Sequence, residues 1–221
     1  MMEQWRRDFG VPGAFFGIVQ LSTWCPKGTA PDALAQIRVS QVASLTRPGD
    51  AYATNADHGA GCNIHPPFKQ YPGARLARAA LSIVYGVPGA AGWRSPTYAS
   101  AAPGAALGTV AVALRDAPPA GLALLRTPFN AGTAGNCTAL NAATPGTCAW
   151  AGVQFNDPAF TWVNASVALS ADGAGVVLTA SSVPAGATGV TATSYGWGPI
   201  PMLTVYSAAA NLPVLPWREA L

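Results

Sequence analysis

From residue 95 onward the apolar residues of this 221-residue chain fall at every second position, and that change of period constrains the fold more than any other feature. Thr109-Val110-Ala111-Val112-Ala113-Leu114 alternates, and Trp162 to Leu169, Gly175 to Thr179 and Val190 to Trp197 read as further strands. Successive side chains of a strand point to opposite faces, so the pattern predicts half-buried strands. Ala171-Asp172-Gly173 separates two of the runs, and Asp-Gly in that position predicts a hairpin. Pro118-Pro119-Ala120-Gly121 turns the chain from the 109–114 run into Leu122-Ala123-Leu124-Leu125-Arg126 and reads as a second hairpin. Residues 95–221 are expected to form a small antiparallel β-sandwich, the β-rich C-terminal domain.

Residues 1–94 read as α/β. Phe15-Phe16-Gly17-Ile18-Val19-Gln20-Leu21 is a short apolar run after Pro12-Gly13, as expected of a buried parallel strand. Pro31-Asp32 opens a segment in which Leu34, Ile37, Gln41 and Leu45 recur at helical spacing. Tyr52-Ala53-Thr54 reads as another short strand, followed by a glycine-containing loop over 57–63. The Ala- and Leu-rich stretch from Gly73 to Leu81 predicts a helix ending near Gly86. The Ala/Gly/Pro-rich stretch between Gly86 and Leu107 is the softest boundary along the chain.

Composition removes several function classes. Half of the chain is hydrophobic and 10% is charged, which excludes disorder over most of its length. The net charge of +3, from 12 basic and 9 acidic residues, is too weak and scattered for a nucleic-acid partner. The 24 glycines and 20 prolines follow no Gly-X-Y period. Mean hydropathy is +0.26. The richest stretch, Ala79 to Trp93, is nevertheless broken by Gly86, Pro88 and Gly89, so no membrane span is expected. Met1 to Asp8 is not followed by the apolar core of a signal peptide. Asn136-Cys137-Thr138 and Asn164-Ala165-Ser166 are glycosylation sequons, and Cys137 and Cys148 lie in a turn-rich loop short enough to close. These features lead to the expectation of a glycosylated, secreted, extracellular or lysosomal protein with a Cys137–Cys148 disulfide.

Six blocks, in order, resemble the C-terminal part of the sialate O-acetylesterase family, serine esterases of the SGNH hydrolase superfamily. Phe15 to Leu21 resembles the family strand ending in Val-Gln-Leu, and Ile37-Arg38 with Gln41 resembles its Ile-Arg-x-x-Gln helix. Ile64-His65-Pro66-x-x-Lys69-Gln70-x-x-Gly73-x-Arg75-Leu76-Ala77 is the most specific match. Arg94-Ser95-Pro96-Thr97-Tyr98 is similar to the entrance of the family's β-rich tail. Tyr195-Gly196-Trp197-x-Pro199, Leu203-x-x-Tyr206 and Asn211-Leu212-Pro213-x-x-Pro216-Trp217-Arg218 resemble its ending. The resemblance implies a fold of class α/β: the C-terminal part of an SGNH-like three-layer α/β/α domain over 1–94, followed by the β-sandwich. It also implies hydrolysis of acetyl esters on sugar hydroxyls, typically the 9-O-acetyl group of sialic acids, with an O-acetylated sugar or glycan as partner and no cofactor.

That chemistry needs a serine nucleophile, a histidine base, a carboxylate that orients the histidine, and an oxyanion hole. His65 is the expected base, held beside Pro66 between a loop and a helix start, although a lone histidine there also suits a capping or loop role. Asp57, eight residues earlier, is the expected orienting acid. Asn63 stands where several relatives carry an acid, and Asp57 as an ordinary turn residue is the plain alternative. The family nucleophile belongs to a Gly-Gln-Ser-Asn block, which nothing upstream of Phe15 resembles; Ser22 and Ser40 sit where it does not belong. The nucleophile is therefore expected in a preceding segment of the same protein, and the chain alone is expected to be inactive. Lys69, Arg75 and Arg78 read as solubilising helix-face charges, and Trp5, Trp24 and Trp93 as core, interface or sugar-stacking rings. Two other readings come from different classes. His58, Cys62 and His65, with Asp57 adjacent, have types and spacing that suit zinc. Residues 95–221 alone would suit a non-catalytic carbohydrate-binding module.

Overall fold

The computed structural model describes residues 1–25, 28, 30, 32–90, 92–125, 129–130 and 150–221. Cys137, Cys148 and Asn136, which carried the disulfide and one sequon, lie outside these residues, as do Pro31 and Arg126. The α/β part opens with α1 (Met2–Asp8), a helix with no counterpart in the sequence reading. It is pinned by Arg6, which donates to the Ala14 carbonyl and to Asp50 Oδ1 at 2.7 Å. β1 (Phe16–Gln20) then pairs in parallel with β2 (Asp50–Thr54), Gln20 opposite Thr54, with α2 (Ala33–Ala43) between them in sequence. α3 (Gln70–Ile83) packs across both strands. Their common core holds Ala51, Tyr52, Ala79, Trp93 and Leu215, with Phe15, Ile18 and Val42 against it. β2 is buried along its whole length, as expected of a central parallel strand. β1 is not: Val19 is 45% exposed, so the strand buries one face only.

The β-rich part consists of β3 (Thr97–Pro103), β4 (Thr109–Arg115), β5 (Leu122–Leu124), β6 (Ala151–Phe155), β7 (Trp162–Leu169), β8 (Gly175–Ala180), β9 (Val190–Tyr195), β10 (Val205–Ser207) and β11 (Trp217–Ala220). Seven of them form one antiparallel sheet in the order β11-β9-β6-β7-β8-β4-β3. Its inward side chains, among them Val110, Val153, Phe155, Val167, Val176, Leu178 and Tyr195, make the second core. The two edge strands approach one another: Tyr98 donates to the Ala220 carbonyl at 3.4 Å, and the Tyr98 and Trp217 rings lie 5.8 Å apart. The expected sandwich is thus a single sheet with its edges brought together, and β5 and β10 form a separate antiparallel pair.

The Asp172-Gly173 hairpin forms as expected, with β7 paired to β8 and Gly173 at φ 68°. The Pro118–Gly121 hairpin does not. β4 is flanked by β3 and β8, so no edge is left for β5, which pairs instead with β10, far along the chain.

Candidate active site

The loops that leave the C-terminal ends of β1 and β2, residues 21–25 and 55–65, run side by side. In open α/β sheets this end of the strands is where ligands bind. The first loop is held from α2. Arg38, fully buried, donates to the carbonyls of Leu21 (2.9 Å), Ser22 (2.6 Å), Gly198 (2.8 Å) and Pro199 (3.0 Å). Burial pulls its guanidinium down to about 9, still cationic at neutral pH. Gln41 Oε1 accepts from the Leu21 N–H at 2.9 Å, and Gln20 Nε2 donates to the Arg38 carbonyl at 2.9 Å. The Val-Gln-Leu and Ile-Arg-x-x-Gln blocks therefore brace one another.

The second loop is held by a buried cluster around Asp57. Arg75 on α3 meets both carboxylate oxygens, at 2.8 and 2.7 Å, and also donates to the Thr54 carbonyl. The Tyr206 hydroxyl, from β10, donates to Asp57 Oδ2 at 3.0 Å. His58 Nδ1 lies 2.9 Å from the same oxygen. Burial by itself would raise the Asp57 pKa. The bonds from Arg75 and His58 outweigh it and hold the carboxyl well below the usual range. The Tyr206 hydroxyl is pushed well above its ordinary value by burial and by the Asp57 charge, so it stays a neutral donor. The His58 ring is stacked between Tyr71 and Phe129, with centroids 3.5 and 4.2 Å away. Asn130 donates to the carbonyls of Ala56 and Pro201 and accepts from the Gly59 N–H at 2.9 Å. Ala56 itself packs into the core of the β-rich part.

His65 lies farther along the same loop and is exposed. Its backbone N–H donates to Asn63 Oδ1 at 3.0 Å, in a turn closed by an Ala60–Asn63 bridge. The structure brings Asn63 next to His65 but does not pair His65 with Asp57. Among the described residues Asp57 is ion-paired with Arg75 and has His58 Nδ1 2.9 Å from Oδ2.

Several sequence expectations are corrected. Arg75 is no solubilising charge but the buried partner of Asp57, because α3 turns that face inward against β2. The zinc reading fails because Cys62 is joined to Cys25, with Cα atoms 4.7 Å apart, so it offers no thiolate. Ser22 is buried, with its hydroxyl donating to the Asn55 carbonyl at 3.1 Å, unlike a free nucleophile. Trp93 is a core ring edge-on to Tyr52, Trp5 packs on Phe16, and Trp24 is partly exposed.

Sequence reasoning missed the roles of Arg75, Tyr206 and Asn130, since nothing local links positions 57, 75, 130 and 206. It also missed the Cys25–Cys62 bond, for which a signal existed: each cysteine lies in the loop that follows one of the two strands read in the α/β part.

No family model matches the chain, and no curated protein matches it in sequence. Its fold is similar to part of a solved structure. The crystal structure of XAC1771, a carbohydrate acetylesterase from Xanthomonas citri, matches with a TM-score of 0.72 at 23% identity. The match covers 99% of this chain and 44% of that one, so the chain spans less than half of its neighbour's length. Both the α/β part and the β-rich part lie within the matched region.

Proposed function

We propose that this chain is part of a carbohydrate O-acetylesterase, with His65 as the general base and a sialate-type O-acetyl sugar as substrate. The observation that carries the reading is the fold likeness to a carbohydrate acetylesterase over 99% of the chain. The exposed position of His65, beyond the C-terminal end of a parallel strand, supports it. Residues 1–94 are read as the C-terminal part of a three-layer SGNH-type domain, and 95–221 as the domain attached to it.

In the reaction His65 takes the hydroxyl proton of a serine as its oxygen adds to the acetyl carbonyl, then returns that proton to the departing sugar oxygen. Water, deprotonated by the same imidazole, then adds to the acetyl-serine, and the imidazole returns that proton to the serine oxygen as acetate leaves. The serine and the oxyanion donors come from residues outside these 221. Asp57 anchors the loop rather than orienting the imidazole, and Asn63 shapes the turn around His65.

The Cys25–Cys62 disulfide suits an oxidising compartment, and the exposed Asn164 suits a glycan. No helix among the described residues is long and apolar enough to cross a membrane. Turnover of a chromogenic acetyl ester and of an O-acetylated sialic acid tests the proposal. The chain alone should match a generic protein control, and a longer form bearing a Gly-Gln-Ser-Asn block should be active. Activity in that form that survives His65→Ala would overturn the proposal.

One observation favours a second reading, a carbohydrate-binding role for the β-rich part. Arg218 lies over the rings of Trp162 and Trp197, 5.1 and 5.2 Å from their centroids, and Trp162 is exposed as a sugar-stacking ring would be. Glycan-array binding lost in Trp162→Ala, with no ester turnover by any form, is the outcome that would select it.

A further inference from the structure

We infer that the Cys25–Cys62 disulfide is the positioning element of the His65 turn. The loops after β1 and β2 are tied at three successive levels. Nearest the strands, Ser22 donates to the Asn55 carbonyl at 3.1 Å. Next, Gly59 lies against Thr23 so closely that a β-carbon at Gly59 would fall on the Thr23 side chain, and Thr23 is fully buried. Outermost, Cys25 is bonded to Cys62, three residues before His65.

The two inner levels are supported from elsewhere, because Asn130, Arg75 and Tyr206 hold residues 54–59. Beyond Gly59 no such support is found among the described residues. Among the described residues, the hydrogen bonds found within 60–65 are internal: Asn63 N–H to the Ala60 carbonyl at 3.1 Å and His65 N–H to Asn63 Oδ1 at 3.0 Å. Among the described residues the turn carrying His65 is thus a small self-bonded unit, covalently crosslinked to the neighbouring loop at Cys62. A segment with few bonds to its surroundings opens at low free energy, so the crosslink decides where the imidazole points. Cys25 and Cys62 are positioning residues and do not touch the reacting atoms. Their catalytic meaning rests on the reading of His65 as the base, whereas the anchoring itself does not.

The test is hydrogen exchange of the 221-residue protein and its Cys25→Ser/Cys62→Ser variant. Exchange of peptides covering 60–66 should rise tenfold or more in the variant, with those covering α3 and β7–β8 unchanged. Unchanged exchange at 60–66 would overturn the inference. Should the variant fail to fold, the folded native protein is treated instead with a dithiol, which gives two electrons and two protons to the disulfide and becomes a cyclic disulfide. The same local rise is expected, and its absence overturns the inference equally. In the longer, active form the double variant should lose tenfold or more in kcat with KM within twofold, as a displaced base requires. Unchanged kcat alongside a mobile turn would overturn the positioning role. Failure of His65→Ala to affect kcat would instead sink the reading of His65, leaving the exchange result standing.

Discussion

Asp57 is ionised in a place where burial alone would keep it neutral, and the reason is the bidentate contact from Arg75, supported by His58 and the Tyr206 hydroxyl. Removing one member of such a pair leaves an uncompensated buried charge, at a cost of about 3–5 kcal/mol. Arg75→Met should lower the urea midpoint by that equivalent, with the slope of the transition unchanged. The pH dependence has a definite sign. The folded pKa of Asp57 lies below its ordinary 3.8, so below that value the unfolded chain binds the proton more readily. The stabilisation is fully present above the unfolded value and is lost as pH falls below it. Stability followed from pH 6 down to pH 2 should drop more steeply in the native chain than in Asp57→Asn, and equal slopes would remove the claim. The sequence placed Asp57 and His65 in the loop after β2, and the structure finds both there, with Asp57 bound to Arg75 and Tyr206 rather than to His65. Those partners were not legible in the sequence, because a carboxylate's neighbours depend on which helix face and which distant strand reach it.

At the scale of elements, local chemistry reported itself faithfully and long-range pairing did not. Asp172-Gly173 specifies its own turn: Gly173 takes φ 68°, and Asp172 accepts from the Ser170 hydroxyl and from the Ala174 N–H at 3.0 Å. Gly173→Ala should cost about 1–2 kcal/mol for a β-carbon in the left-handed region, read as a fall in thermal midpoint. Pro118-Pro119 signals a turn equally well, but a turn does not choose a strand's partner. β8 and β3 occupy the two edges of β4, so β5 is left to β10. The Arg38 block reads as helix from its period. Its function, four backbone carbonyls gathered at one guanidinium, appears only when the loops at 21–22 and 198–199 meet.

Across the whole molecule, the loop that carries His65 is set by the β-rich part as much as by the sheet it leaves. Tyr206 reaches Asp57 across 149 positions of sequence, and Ala56 is embedded in the core of the antiparallel sheet. Tyr206→Phe, which removes one bond to a buried charge, should destabilise by about 1.5–3 kcal/mol in chemical denaturation. It should also raise hydrogen exchange at 55–59 more than within β7–β8. The period change near residue 95 announced two kinds of structure. It could not announce that the second would grip the site of the first, because that contact is made by side chains with no periodic signature. The role of His65 is tested most directly by the acetyl-ester turnover of a longer form bearing the serine block, compared with the same form carrying His65→Ala. Turnover that falls by several powers of ten to the control rate is the predicted result; full turnover without His65, or robust turnover by the 221-residue chain alone, would contradict it.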